Sequence, residues 1–392
     1  MQFVETKDLR PGMRLAKPVY NRMGVLLYDR NSFLTAPGIK SIENFGLIGL
    51  FILEPAEPLP PLSEEDIQFE QFQTIYMFRA KEIMDDLQNN KNPETLPELV
   101  NNILERYGSL EHKINFTQVL RSSADYVYKH SISTAILCAL LSNALHYTET
   151  EKKRLVTAAL LYDIGYLYVP RKILDQKDNH FTDDDQRTIH ECRKKGYQLL
   201  YPETNNYQLD PQVLTTIFQV HTLMSINDEE ILKEKTFSSS AQLLALADMF
   251  DQLTAMNLHH APISEVVAIR YFWEHPEKYP TKLVAALARC IHILPTGCSI
   301  DLSNKDKGIV IMENPDDFLS PLVLNIRTNE VYDLSDPEIA EDIQITDIMK
   351  TMDNRIVIDE ETLQHFSADD NLQNSLSHYQ ERKKEKMKKF FS

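Results

Sequence analysis

The sequence has little of what marks several classes of protein. Only 10 of its 392 residues are glycine, which favours helices over Gly-rich loops or β-solenoids. Its four cysteines, Cys138, Cys192, Cys290 and Cys298, form no CxxC pair, and this predicts free thiols in a reducing compartment rather than a zinc finger. No apolar run is long enough to span a bilayer, and the N-terminus lacks the apolar stretch of a secretory signal. We therefore expect a cytoplasmic protein.

Positive charge is also scarce. The chain has 41 Lys and Arg against 58 Asp and Glu, which gives a net charge of −17 at pH 7. Because nonspecific binding to nucleic acid or to anionic membranes needs clustered positive charge, we predict that neither is a partner. The sequence is compatible with either a monomer or an oligomer, because the apolar helical faces within 67–115 could pair two chains or pack within one.

The composition and the hydrophobic periodicity of the sequence change along the chain and predict five segments. Residues 1–57 carry short β-type runs broken by Pro-Gly turns and predict a small β-containing module. Residues 58–116 combine a Pro-rich linker with a helical segment, and residues 117–293 are apolar with helical periodicity. Short β-type runs return in 294–350, and 351–392 form a polar, basic tail. The predicted fold class is mainly α, with a helical bundle between an N-terminal β-containing module and a short C-terminal β appendage.

Residues with metal-ligand chemistry recur in the helical block. Imidazole and carboxylate groups suit Zn, Mn or Fe, and two such clusters that share a carboxylate form the two-metal arrangement that hydrolyses phosphoesters. On local sequence alone, His190 in the polar stretch "DQRTIHECRKKG" is expected at the surface. Asp248 in "LLALADMFDQL" is expected to be buried and paired. The candidate metal ligands are His130, Asp163, His190, His221 and Asp248.

The order of these residues and their surroundings carries a family resemblance. The succession "YKHS", "LLYDIGYLYVP", "TIHECRKKGYQLL", "FQVHT" and "LADMFDQLTA", within residues 115–303, resembles the HD-GYP branch of the HD-domain superfamily. This resemblance implies an HD-type helical bundle, a site for two or three metal ions and bacterial cyclic di-GMP phosphodiesterase activity. It also implies that Asp163 would be catalytic if the protein is active.

The chain departs from the family pattern at the positions that the chemistry needs. The resemblance implies a histidine where Tyr162 stands and a lysine where Tyr166 stands, and a neutral phenol is a poor substitute for either. Where the family has adjacent histidines and a glutamate, this chain has Val220-His221-Thr222. The Gly-Tyr-Pro signature is missing from "LMSINDEEILKEKTFSSS". Asn257 stands where the family has an arginine, and His259-His260 is interpreted as an exposed loop rather than a replacement ligand pair.

Three hypotheses follow. The first is a degenerate HD-GYP-like protein without phosphodiesterase activity, which acts as a signalling or scaffolding module with protein partners in cyclic di-GMP signalling. The second is a metal-dependent phosphohydrolase that uses a reduced site with one divalent Mn, Fe or Zn ion. The third is a cyclic di-GMP receptor without turnover, which the loss of the lysine and arginine disfavours. The first hypothesis is preferred, and it needs no bound metal.

Overall fold

The computed structural model describes residues 2–21, 23–45, 47, 49–53, 63–118, 121–176, 181–201, 207–226, 232, 235–255, 262–314 and 317–348. One compact unit comprises residues 3–51 and 63–291, and the described part of a second consists mainly of residues 292–314 and 317–348. The tail 351–392, most of the Pro-rich stretch, Asn257 and His259-His260 lie outside the described residues. The five predicted segment boundaries stay predictions.

The larger unit is dominated by helices, which confirms the mainly α prediction. The first four are α1 Ala36–Asn44, α2 Glu64–Gln88, α3 Leu96–Tyr107 and α4 Tyr126–Ala144. After α5 Glu149–Leu161, a 3-10 turn Ile164–Tyr168 leads to α6 Arg171–Leu174. The unit continues with α7 Asp183–Leu199, α8 Pro211–Ser225, α9 Ser239–Thr254, α10 Glu265–Glu274 and α11 Thr281–Cys290. Among the described residues, no helix combines the length and apolar character needed to cross a membrane.

Helix α4 forms the centre of this unit. Its run "ISTAILCALL" is buried on every face, as expected for a helix that has no polar stripe. The helix packs against α2, α3, α5, α9 and α11, which surround it. His130 lies within the first two turns of α4 and is therefore carried into the interior.

The neighbouring helices begin at well-defined caps. Thr148 before α5 and Thr182 before α7 each form a capping box, in which the cap hydroxyl and an acidic side chain three residues later satisfy free N–H groups. Helix α5 ends at Leu161, so that Tyr162 and Asp163 follow it directly into the 3-10 turn. Tyr162 and Asp163 are thereby placed beside His130 of α4.

Short strands make up both ends of the described chain. Near the N-terminus, β1 Gln2–Glu5, β2 Arg14–Leu15 and β5 Gly49–Leu53 form a sheet in the order β1-β5-β2, and β3 Val19–Tyr20 pairs with β4 Leu26–Tyr28. The N-terminal β-containing module is thereby confirmed as a feature of the fold.

The second unit contains a five-stranded antiparallel sheet in the order β10-β6-β7-β8-β9. Its strands are β6 Ser299–Leu302, β7 Lys307–Met312, β8 Leu322–Asn325, β9 Val331–Asp333 and β10 Ile345–Ile348, with α12 Pro337–Asp342 before the last strand. The predicted C-terminal β appendage is confirmed. The cysteines predicted to be free are free thiols, all four of them within the described residues.

Candidate functional site

Three of the five predicted ligands meet in the core of the helical unit. His130 comes from α4, Asp163 from the turn after α5, and Asp248 from α9. One ligand atom from each lies within 4.8 Å of the others, and all three side chains have no solvent exposure. The structure therefore provides a possible His-Asp-Asp metal site, without indicating which metal it would suit.

The imidazole of His130 is held between two carboxylates. Its Nε2 lies 2.9 Å from Oδ1 of Asp248, and its Nδ1 lies 2.5 Å from Oδ2 of Asp251. Arg121 donates from both terminal nitrogens to Asp251, with a distance of 2.6 Å from Nη2 to Oδ1. All four side chains are fully buried, so these charges compensate one another away from water.

Asp251 and Arg121 were missed by the sequence reasoning. Asp251 follows Asp248 by three residues in "LADMFDQL", a spacing that places both carboxylates on one face of a helix, and this signal was available. Arg121 carried no such signal. Its partner Asp251 lies 130 residues further along the chain, and only the packing of α4 and α9 brings them together.

The hydroxyl group of Tyr162 lies in the middle of the predicted ligand set. Its Oη is 2.5 Å from Nε2 of His130 and 2.5 Å from Oδ1 of Asp248. The side chain is 1% exposed. Gln252 donates to both oxygens of Asp248, at 2.8 and 2.9 Å. The carboxylate of Asp248 is thus saturated by protein hydrogen bonds.

The electrostatics of the centre follow from this pairing. Burial acts to lower the pKa of His130, but the hydrogen bonds with Asp248 and Asp251 outweigh it and raise that pKa to about 9. Burial acts to raise the pKa of Asp251, yet the charge of Arg121 and the His130 hydrogen bond lower it to about 2. Asp248 also has a lowered pKa, because the His130 hydrogen bond overcomes its burial. At neutral pH, His130 is therefore a cation between two carboxylates.

The contacts of His130 leave one ring nitrogen for a metal. Its Nδ1 lies against Asp251, which is the contact that metal-bound histidines usually keep, so a metal would have to take the lone pair of Nε2. That nitrogen lies 2.9 Å from Oδ1 of Asp248, and the phenol oxygen of Tyr162 contacts both atoms, at the position that an ion bound to the two groups would need. A metal would have to displace the phenol and a proton before it could bind there.

Asp163 is the exception in this satisfied network. Both of its carboxylate oxygens are buried and make no hydrogen bond to the part of the chain that the structure describes. Oδ2 lies 3.6 Å from Nε2 of His130, and Oδ1 lies 3.5 Å from Nε of Arg193. Burial raises the pKa of Asp163, and the charges of Arg193 and His130 offset part of that rise. An orphaned buried carboxylate is a group that a cation or a bound water would satisfy.

Two glycines place Arg193 beside Asp163. A Cβ added to Gly196 on α7 would lie 2.3 Å from the backbone nitrogen of Gly165, and a Cβ on Gly165 would lie 2.5 Å from the Cα of Arg193. The turn and α7 therefore approach at backbone distance, which a larger residue at either position would prevent. From there the guanidinium stacks over the ring of Tyr166, 5.0 Å from its centroid, and donates to its hydroxyl at 3.2 Å.

The two remaining predicted ligands lie outside the three-residue cluster, His221 next to it and His190 at the surface. His221 on α8 donates from Nε2 to the backbone oxygen of Tyr162 at 2.8 Å, and burial lowers its pKa to about 4, so that it is neutral. His190 on α7 is exposed, as its polar surroundings predicted. Neither belongs to the three-residue cluster found among the described residues. The assignment of all five as metal ligands stays a prediction.

Tyr126 adds an aromatic wall to the centre. Its ring stacks on that of His130 with centroids 5.1 Å apart and an angle of 17° between the planes. Tyr166 follows at 5.8 Å from Tyr126. The buried imidazolium is thus covered by an aromatic face, a contact that favours the positively charged form.

Comparison with known proteins identifies the helical domain. Residues 115–283 match the family model described as HD domain. A cyclic di-GMP phosphodiesterase, PA4108 of Pseudomonas aeruginosa, is 23% identical over 205 residues, which cover 52% of this chain and 49% of that protein. The 3'3'-cGAMP-specific phosphodiesterase 3 of Vibrio cholerae is 27% identical over 191 residues, covering 46% of this chain and 38% of that protein.

Two further similarities are shorter or weaker. The cyclic di-GMP phosphodiesterase PdeB of Borreliella burgdorferi is 35% identical over 65 residues, or 17% of each chain. The solved structure of Bd1817, an HDG"Y"P protein from Bdellovibrio bacteriovorus, is 16% identical, with a TM-score of 0.41 over 73% of this chain and 97% of that one. The matches span less than half the length of each curated relative. Residues 115–283 therefore match the HD-domain family model, and the chain is similar to proteins named as cyclic di-GMP phosphodiesterases.

Proposed function

We propose that this HD domain does not hydrolyse cyclic di-GMP and instead acts as a bacterial, cytoplasmic signalling or scaffolding module. The observation that carries the proposal is the position of Tyr162, whose hydroxyl lies 2.5 Å from both Nε2 of His130 and Oδ1 of Asp248. A side chain of the protein itself completes the network that a metal ion would complete in a metal-dependent phosphodiesterase.

The chemical argument concerns the nucleophile. Hydrolysis of a phosphodiester by a metal enzyme needs an ion that lowers the pKa of bound water and polarises the phosphoryl group. Here the hydrogen bonds of His130 with Asp248 and Asp251 raise its pKa to about 9, which favours the protonated form, and a metal would have to displace that proton. Such a network stabilises the fold and opposes the metal binding that would activate a water.

The surroundings of Asp163 support the same proposal. The resemblance implied a lysine where Tyr166 stands, and the nearby cation is Arg193, which donates to the Tyr166 hydroxyl and faces the carboxylate of Asp163 at 3.5 Å. Recognition of a phosphate relies on fixed positive charge, and here the lysine is missing and the charge of Arg193 is opposed by Asp163. A role through protein partners in cyclic di-GMP signalling is therefore favoured over a receptor role.

The test is a product assay on the full chain. Purified protein is incubated with cyclic di-GMP and either Mn²⁺ or Fe²⁺ under reducing conditions, with an active HD-GYP phosphodiesterase as positive control, and the products are separated by chromatography. We expect neither linear dinucleotide nor GMP above the protein-free background. Metal-dependent product formation that Asp163→Asn abolishes would refute the proposal.

One observation favours a second candidate, a phosphohydrolase with a single metal. The two oxygens of Asp163 make no hydrogen bond to the described residues and would be satisfied by a divalent cation, and one Lewis acid is enough for hydrolysis. This candidate predicts about one Mn, Fe or Zn per chain in protein purified without chelator, and loss of that metal in Asp163→Asn. Elemental analysis decides between them, because the preferred function predicts a metal content far below one per chain in both proteins.

A further inference from the structure

The N-terminal module is attached to helix α2 by a buried ion pair. Lys17, between β2 and β3, pairs with Glu70 of α2, and their side chains are only 14% and 8% exposed. The ammonium group of Lys17 also lies 5.8 Å from the centroid of the Phe51 ring. A nearly buried pair of this kind is costly to break from one side, because the remaining charge is left without a partner.

The β3–β4 hairpin makes a second contact with the same helix. The backbone oxygen of Gly24 accepts a hydrogen bond from Nε2 of Gln71 at 2.7 Å. Gly24 has φ +75°, and a Cβ there would lie 2.4 Å from Cδ1 of Ile75. Glycine is therefore favoured by the left-handed backbone, and its missing side chain leaves room for Ile75. The hairpin packs directly against side chains of α2 at this point.

The next turn of α2 is in contact with the buried centre. Gln73 follows Glu70 by three residues, so the two lie one above the other on the helix. Nε2 of Gln73 lies 3.4 Å from Oγ of Ser133, and that oxygen also accepts from Nη2 of Arg121 at 3.2 Å. Arg121 in turn binds Asp251, the partner of His130. Gln73 and Ser133 are 3% and 0% exposed.

We infer that α2 couples the N-terminal module to the His130 centre, so that an event at the module that breaks the Lys17–Glu70 pair is transmitted through Gln73 and Ser133 to Arg121. The physical reason is the cost of an unpaired buried carboxylate. When Lys17 leaves, Glu70 is drawn towards solvent and the turn of α2 that carries Gln73 moves with it. Because Ser133 accepts from both Gln73 and Arg121, the move alters the hydrogen bonds of Arg121. The inference does not depend on whether the centre hydrolyses anything.

The test breaks only the Lys17–Glu70 contact and measures the NMR resonances of His130 and Arg121. In full-length protein labelled with ¹⁵N at histidine and arginine, the ring resonances of His130 and the guanidinium resonances of Arg121 are compared between the parent and Lys17→Met. We expect both sets to shift in Lys17→Met. The matched control is Arg79→Met, which breaks an exposed ion pair with Glu82 on the same helix and is expected to leave them in place.

A double-mutant comparison identifies the route. In a Gln73→Leu background the added Lys17→Met change is expected to cause no further shift of the His130 and Arg121 resonances, since the contact with Ser133 is already lost. If Lys17→Met does not fold, Lys17→Gln takes its place, since it also removes the charge that pairs with Glu70 and keeps a polar side chain in the partly exposed position. Unchanged His130 and Arg121 resonances in the folded variant would overturn the inference, as would an equal shift with and without Gln73.

Discussion

Arg121 and Asp251 form a fully buried ion pair in which both terminal nitrogens of the guanidinium donate to the carboxylate. Asp251 also contacts His130: its Oδ2 lies 2.5 Å from Nδ1 of the imidazole. The carboxylate of Asp251 is thus shared by Arg121 and His130. The pair therefore supports the imidazolium at the centre of the HD domain from the side opposite Tyr162.

Removing one partner of this pair is expected to destabilise the protein strongly. Arg121→Met leaves the buried carboxylates of Asp248 and Asp251 with His130 as their shared cation, and we expect a loss of about 3–5 kcal/mol in the free energy of unfolding. Urea denaturation followed by circular dichroism measures it. The control is Arg79→Met, where an exposed pair is lost and the change is expected within about 1 kcal/mol. Equal losses in the two variants would contradict the prediction.

Loss of the Tyr162 hydroxyl tests the hydrogen-bonded network directly. Tyr162→Phe keeps the ring and removes the group that contacts both His130 and Asp248, and we expect the free energy of unfolding to fall by about 1–3 kcal/mol. The matched control is Tyr147→Phe, which removes an exposed hydroxyl hydrogen bond to Ser239 and should cost at most about 0.5 kcal/mol. A Tyr162→Phe protein as stable as the parent would show that the hydroxyl is not a structural member of the centre.

Restoring an imidazole at position 162 is expected to restore metal binding. Tyr162→His removes the phenol that contacts His130 and Asp248 and supplies a nitrogen ligand near Asp163, whose carboxylate makes no hydrogen bond to the described residues. We expect about one Mn, Fe or Zn per chain by elemental analysis after dialysis against the metal, well above the content of the parent. The double variant with Asp163→Asn serves as control and should return to the parent value. A metal content that is the same in parent and Tyr162→His would show that Tyr162 does not block the site.

Gly196 contacts Gly165 closely, and for this reason we expect Gly196→Ala to destabilise the protein, although helix propensity alone would predict the opposite. Alanine is about 1 kcal/mol better than glycine inside a helix, so Gly196→Ala in α7 would ordinarily stabilise the protein. The Cβ of the new alanine would lie 2.3 Å from the backbone nitrogen of Gly165. We therefore expect the variant to be destabilised by about 1–3 kcal/mol. Gly38→Ala in α1, where the nearest neighbour is a side-chain atom at 3.1 Å, is expected to cost less. Thermal unfolding of both variants shows which loses more stability. A Gly196→Ala protein more stable than the parent would refute the prediction.

The C-terminal sheet has a pH-dependent contact of its own. Hydrogen bonds from Arg327 and Asn325 lower the pKa of Asp306 from its ordinary 3.8 to about 2. Since the folded pKa lies below the unfolded one, this contribution to stability is complete above about pH 4 and is lost as the pH falls through 2. The carboxyl ¹³C resonance of Asp306 should titrate near 2 in the parent, and its midpoint should rise in Arg327→Met. An unchanged midpoint in that variant would contradict the assignment of Arg327 as the main cause.

Much of the architecture could be predicted from local pattern. The apolar periodicity of 117–293 predicted helices, and α4, α5, α9, α10 and α11 lie there. Asp248 was expected to be buried because its neighbours in "LLALADMFDQL" are apolar on both sides, and it has no solvent exposure. The exposure of His190 followed from the polar residues around it. These properties depend on neighbours within one or two helical turns, which is the range over which a sequence pattern carries information.

The sequence by itself determined that the chain is mainly α, that its cysteines are free, and that tyrosines stand at positions 162 and 166 where the resemblance implied a histidine and a lysine. Only the tertiary structure decided what those changes do. The hydroxyl of Tyr162 meets His130 and Asp248, which are 32 residues before it and 86 residues after it, and Arg121 meets Asp251 across 130 residues. Such contacts depend on how α4, α5 and α9 pack, and no local periodicity encodes that packing.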